Sequence, residues 1–556
     1  MISGFEGAEF LDLTGEGHSQ NNWLRGACKQ GVMPANGMLY VPPDQCFCQP
    51  GAKLLGYAAV RSAAVPHPAA IPDDHRLERG PAYGHRAMST EADPVNEWPT
   101  FRHDAARHGS TPTTVPFPLK SMWQIDVGGK LTAPVAAGGK LVVADTEAHT
   151  IRAYEADTGR LSWQFTAGGR IDSPPTVYRG LVLFGAADGR VTCLRADDGS
   201  LIWRFLAAPV DRRVLAMDQF ESVWPVHGSV LVTGGVAYVT AGRSSYLDGG
   251  IHVYALAPES GRLLHRGLVE GPHPPLSKDR DVAFYIRGAN SDVLVSEGDS
   301  IFMRQKTFTR DLENVPEEIL SSKGEMNVGL HVFATSGFLD GSWYNRTFWM
   351  YSKRWPGFQL ANQAPKAGQL IVVDEDTTYA LRVFYRRNVH SPMFFPGREG
   401  YLLFADKSTN EPQIVGEDGA KPPLRWLPQS DYHWGKGDVV RKLDTPSFGK
   451  DKLIGYTRAE PPLWTLWLPV RVRAMVKAGD ALFVAGPPDV LDDEDPFAAF
   501  EGRGGAVLVV VSARDGKKGS EIALSAPPVF DGMIAAYGRI YASLTNGTVV
   551  CLGGEQ

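Results

Sequence analysis

The chain has 556 residues, 43% hydrophobic and 21% charged, an ordinary globular composition. A net charge of -6, a pI near 6.2 and the lack of any basic stripe exclude a nucleic-acid surface of the usual kind. No apolar run reaches the ~18 residues of a membrane-spanning helix, and 60 glycines with 40 prolines predict many turns and an all-β chain.

The first nine residues, MISGFEGAE, have neither a basic nor an apolar region and form no secretory signal. Asn36-Gly37 followed by Met38–Val41 reads as a turn and a strand, and Lys53–Val60 as a second strand. Two strands do not make a stable sheet alone. Residues 1–60 are therefore expected to pair with C-terminal strands and close a ring. Residues 61–96, rich in Pro, His and Ala, read as a long surface loop.

Repetition begins at Trp123, with Trp163 and Trp203 following at steps of 40 residues. The run Ala156-Asp-Thr-Gly-Arg-Leu-Ser-Trp163 repeats as Ala196-Asp-Asp-Gly-Ser-Leu-Ile-Trp203. A third copy starts at Ala257 and carries His265 in the Trp position. Each unit offers an apolar strand such as Lys140–Ala144, an alternating strand such as Thr150–Tyr154, an Asp/Gly turn and a Trp-bearing strand. A period near 40 with about four strands is the signature of a propeller blade. Weaker units follow at 292–304, 369–384, 481–515 and 529–552. The expected fold is all-β: an eight-bladed β-propeller of four-stranded antiparallel blades. Residues 1–556 would form one domain, with 97–556 supplying the blades that 1–60 completes.

The runs Ala156–Trp163 and Ala196–Trp203 resemble the PQQ-like propeller repeat of quinoproteins and of outer-membrane-assembly propellers, whose units end in Ala-x-Asp-x-x-Thr-Gly followed by Trp. The stretches at 25–40, 97–104, 241–250 and 484–489 also resemble the propeller part of large planctomycete-type bacterial proteins. This likeness implies a segment of a longer exported chain, periplasmic or extracellular, with flanking domains. It also raises PQQ with Ca²⁺ as a cofactor. Quinone enzymes of this type place a vicinal Cys-Cys disulfide on the quinone and a Glu-Asn-Asp set on Ca²⁺; no Cys-Cys occurs here, and the sequence offers no recognisable counterpart of the second set. No cofactor is therefore expected, and a PQQ-dependent dehydrogenase is disfavoured.

Of five cysteines, Cys193 and Cys551 lie on apolar strands and read as buried hydrophobes. Cys28, Cys46 and Cys48 cluster in a loop-rich region and leave three readings open: a disulfide from Cys28 to Cys46 or Cys48, free thiols, or a thiolate metal site with a further ligand. Their spacing fits no common zinc pattern.

Ligands of propellers sit in the central funnel, so clusters that break the repeat are candidates. The segment Trp224–Gly250 offers His227 as base, Tyr246 as acid, Arg243 to neutralise a carboxylate, and Asp248. A second cluster holds Asp340, Trp343, Arg346 and Trp349, which suit stacking and hydrogen bonding to a sugar ring. Arg287, Asp292, Arg304, His433, Arg471 and Arg473 are scattered charges that would attract an acidic ligand if they face the funnel. The expected function is a small-molecule or glycan site with lyase-like action on acidic glycans. A non-catalytic scaffold that docks proteins is the alternative.

Overall fold

The computed structural model describes every residue except 5–6, 22, 27–30, 44–50, 53, 63–69, 85–92, 94, 272–287, 291–292, 320–325, 340–347, 356–363, 383–400, 412, 415–424, 432–435, 443–455, 458–459, 491 and 555–556. Among the described residues, eight sheets have four or five strands each. Sheet 1 runs Val135–Ala137, Lys140–Asp145, Thr150–Glu155 and Leu161–Thr166, each strand antiparallel to the last. Sheet 2 repeats the pattern from Thr176–Tyr178 to Leu201–Leu206, and sheet 3 from Leu231–Thr233 to Leu263–Val269. Sheets 4 to 7 contain, in turn, Leu294–Glu297, Met326–Ala334 with Trp349–Trp355, Leu370–Val373, and Ala474–Ala478. Sheet 8 holds Pro528–Ala536, Arg539–Leu544 and Thr548–Gly553. The first strands of sheets 1 and 2, 2 and 3, 3 and 4, 6 and 7, and 7 and 8 touch, as in a propeller.

The repeat signature has a direct physical role. Trp123, Trp163, Trp203 and Trp464 each donate their indole N–H to a carbonyl in the next sheet, those of Ala156, Ala196, Pro258 and Ala513, at 2.7–3.1 Å. Each ring also lies beneath the glycine of that turn. A Cβ on Gly159, Gly199, Gly261 or Gly516 would come within 2.9 Å of it. These glycines have φ of 67–72°, so both space and backbone demand Gly. Trp464 is a fourth anchor of this kind, outside the three-copy pattern that opens the repeat.

The strand that completes sheet 8 corrects an expectation. Thr548–Gly553 pairs with Lys120–Asp126, not with residues 1–60. The reason is the phase of the repeat: Trp123 lies one period before Trp163, so its strand is the fourth of a unit whose first three lie at the C-terminus. Residues 1–60 instead build two three-stranded sheets, Ile2–Gly4 with Gly7–Leu11 and His18–Asn21, and Met33–Ala35 with Met38–Val41 and Ala58–Val60. Ala8, Leu24, Leu39, Val41 and Leu54 form a small core of their own there. The expected loop 61–96 is also partly a strand: Leu77–Arg79 adds to the outer edge of sheet 2, against Trp203–Phe205.

Candidate functional site

The centre of a propeller is the natural place for a site, and one segment of this chain bonds to the sheets that would surround it. Residues 96–111 touch all eight sheets. Trp98 exchanges backbone hydrogen bonds with Ala136 of sheet 1, and Pro99 and Thr100 bond Val177 and Thr176 of sheet 2. Ala105 accepts from Ser296 of sheet 4, and His108 from Val373 of sheet 6. Ser110–Thr111 runs parallel to Lys477–Ala478 of sheet 7, while Asn96 accepts from Tyr537 of sheet 8.

Two arginines of this segment are buried, Arg107 fully and Arg102 to 3% exposure. Arg107 donates to the carbonyls of Leu294 (3.1 Å), Phe101 (2.8 Å) and, beside sheet 3, Val230 (3.5 Å). Burial lowers its guanidinium to about 10, which still leaves it charged at neutral pH. Arg102 pairs with Asp531 of sheet 8 at 2.7 Å, donates to Ile371 of sheet 6, and lies 4.7 Å over the ring of Trp349 in sheet 5. Burial pushes the Asp531 carboxyl up against the opposing pull of Arg102. Arg102, His103 and Arg107 all have φ of 57–78°, a costly backbone for non-glycine residues that the surrounding bonds hold in place.

At the other end of the segment, His108 lies between Asp104 (3.2 Å) and Glu297 (3.3 Å). Burial alone would push His108 down, but the two carboxylates outweigh it and hold the imidazolium up to about 9. Burial likewise works to raise Asp104, and hydrogen bonds from His103 and His108 hold it well below the usual carboxylate range. Tyr351 meets the His108 ring edge-on at 5.7 Å.

The predicted catalytic trio is distributed quite differently. His227 is only 1% exposed. Tyr246 is buried and stacks on Trp23 at 5.1 Å, so the N-terminal module covers it. Arg243 bonds Glu221 and the carbonyl of Val223. Glu221 also binds Arg170 at 3.1 Å, and Arg170 binds Asp172 at 2.5 Å. Two cations and two anions thus cancel, and Arg243 has no surplus charge for a substrate carboxylate. Burial raises Glu221 against the pull of Arg243 and Arg170. The cluster joins the 167–175 connection, the strand Gln219–Ser222 and the 242–250 turn.

Asp248 is exposed, and its carbonyl accepts from Trp224. Arg304 and Trp349 both line one small cavity, with Val293, Val295, Val332, Ala334 and Ser336. That cavity has room for about one water, too little for a sugar or a tricyclic quinone. Arg471 is buried and bonds Asp489 at 3.1 Å, whereas the carbonyl of Arg473 accepts from the Asp531 amide. Asp340, Trp343, Arg346, Arg287, Asp292, His433, Cys28, Cys46 and Cys48 lie outside the described residues. Cys193 and Cys551 are buried free thiols. Sequence reasoning missed Arg102, Arg107, Glu221 and Arg170. Only the compact run Trp98–Gly109, with two arginines five apart and a terminal glycine, hinted at the first two.

Residues 120–222, the span from the closing strand through sheet 2, match the family described as outer membrane protein assembly factor BamB. The repeats are of the PQQ-like propeller type. No curated protein matches this chain. Among solved structures, it is similar to the quinohemoprotein alcohol dehydrogenase of Comamonas testosteroni, with 14% identity over 85% of this chain and 82% of that one and a TM-score of 0.46. It is also similar to BamB of Moraxella catarrhalis, with 13% identity over 79% of this chain and 99% of that one and a TM-score of 0.36. Likeness at this level assigns no activity, and function must be argued from the site. The PQQ-like fold suits ligand binding or interaction. Among the described residues no helix is long and apolar enough to cross a membrane.

Proposed function

We propose that this chain is a non-catalytic interaction scaffold, a propeller whose loops and faces dock other proteins. The observation that carries this reading is the segment 96–111, which takes the place a funnel ligand would use: it bonds strands of sheets 1, 2, 4, 6, 7 and 8, bonds Val230 beside sheet 3, and sets Arg102 over Trp349 of sheet 5. Supporting it, the trio chosen for elimination chemistry consists of a buried His, a covered Tyr and a neutralised Arg. Large apolar side chains stand exposed instead, among them Leu13 (95%), Phe220 (72%) and Phe497 (65%). Export to the periplasm or beyond, a single propeller domain and flanking domains belong to the same reading.

Two experiments test it. Photo-crosslinkers at Leu13, Phe220 and Phe497 in producing cells should give discrete protein adducts, lost when neighbouring apolar residues are made acidic. Acidic glycans such as polyuronates should give neither saturable heat on titration nor unsaturated products absorbing in the ultraviolet. Elimination products, or saturable glycan binding with no protein adducts, would overturn the scaffold reading.

A further inference from the structure

The connection between sheets 2 and 3 projects a two-stranded hairpin, Arg213–Ala216 and Gln219–Ser222, in the register Leu215 to Phe220 and Val214 to Glu221. Its two faces differ. The inward face is fastened: Glu221 is 1% exposed and bonds Arg170 and Arg243, and Gln219 bonds His149 at 2.6 Å. The outward face carries Leu215 and Phe220 as a cross-strand pair, 67% and 72% exposed. The turn residues Met217 and Asp218 both have positive φ, a tight two-residue turn made without glycine. A buried ion cluster therefore holds an apolar, solvent-facing hairpin upright.

The strand Arg213–Ala216 is also an open edge. In this register Val214 and Ala216 bond their partners, so the N–H and C=O groups of Arg213 and Leu215 point away from the hairpin. No other strand pairs with that edge among the described residues. Its charges are complementary to themselves under a two-fold axis. Arg212 at the base and Asp218 at the tip are both exposed, and neither makes an ion pair among the described residues.

We propose that this hairpin pairs edge to edge with the same hairpin of a second copy of the chain. Antiparallel pairing about Leu215 sets Leu215 against its own copy and Arg212 against Asp218 of the other chain. The alternative register about Arg213 would place like charges together. The result is a four-stranded sheet with a row of Phe220, Leu215, Leu215 and Phe220 across it. This goes beyond the scaffold reading, since it concerns self-association and holds whatever else the propeller docks. One hairpin offers far less than the ~800 Å² per partner of a stable dimer, so the association is weak and concentration-dependent.

Sedimentation of the full chain from about 5 to 500 μM tests this. The average mass should climb from 60.5 kDa towards twice that value. Leu215→Glu with Phe220→Glu should keep one-chain mass throughout. Arg212→Glu and Asp218→Lys should each weaken association at least about tenfold alone, and an equal mixture of the two should restore it. Circular dichroism shows that each variant keeps its sheets. A parent chain that stays at 60.5 kDa, an apolar double variant that associates normally, or a charge-reversed mixture with no recovery overturns the proposal.

Discussion

Replacing Asp531 with alanine tests whether residues 96–111 are held by buried charge. The Arg102–Asp531 pair is 2.7 Å long, with side-chain exposures of 2% and 4%. Removing one partner of such a pair costs about 3–5 kcal/mol, because the other charge stays buried without compensation. Arg102 cannot easily swing out, since its Nε still donates to the Arg107 carbonyl at 2.8 Å and its ring contact with Trp349 remains. We therefore expect about 3 kcal/mol, which makes local opening roughly a hundredfold more frequent. Hydrogen exchange reads this at the amides of Trp98, Ser296 and Val373, which bond across the segment. Asp531→Ala should speed exchange there by about that factor, and Asp531→Asn by less. Arg102→Met combined with Asp531→Leu should recover much of the protection, because no charge is then stranded. Exchange changed less than threefold by Asp531→Ala, or a double variant as labile as the single, would refute the reasoning.

Three further outcomes are expected. A methyl group at Gly109 would meet the Arg102 guanidinium at 3.0 Å, and the residue has φ of +75°, so Gly109→Ala should lower the urea midpoint by an amount equal to about 2 kcal/mol. His108 has a folded pKa of about 9, above an unfolded value near 6.5. Its contribution is thus complete below pH 6.5 and fades as pH rises through 9. The stability gap between the parent and His108→Gln, at most about 3 kcal/mol and less for a side chain 24% exposed, should shrink over that window in urea titrations from pH 6 to 10. Glu221→Gln should loosen the hairpin from Arg170 and Arg243, so that trypsin cuts after Arg212 or Arg213 about tenfold faster than in the parent.

The propeller was legible because its determinants are local and recur. Trp123, Trp163 and Trp203 stand at fixed steps, and each requires the glycine of the next unit's turn for a stated steric reason. Trp464 escaped because insertions stretch its spacing from the earlier three, although its bond to Ala513 and its contact with Gly516 are the same. Residues 1–60 show the limit of strand reading. Met38–Val41 is a strand as expected, but a strand's sequence does not name its partner. The tryptophan of Lys120–Asp126 had already fixed which segment completes the last sheet.

The centre was illegible for a different reason. Residues 96–111 have no period, and their bonds run to carbonyls and carboxylates far along the chain; Arg102 and Asp531 are 429 residues apart. In the same way, Arg243 reads as a free cation until Glu221, 22 residues earlier, is placed against it. Residue type marks where charge stands, but a substrate feels only the charge left after internal partners are counted. Here Arg102, Arg107, Arg170 and Arg243 are all committed to the protein's own carbonyls and carboxylates. These arginines thus serve as internal fastening at two separate places, Arg102 and Arg107 against the first strands and Arg170 and Arg243 around Glu221.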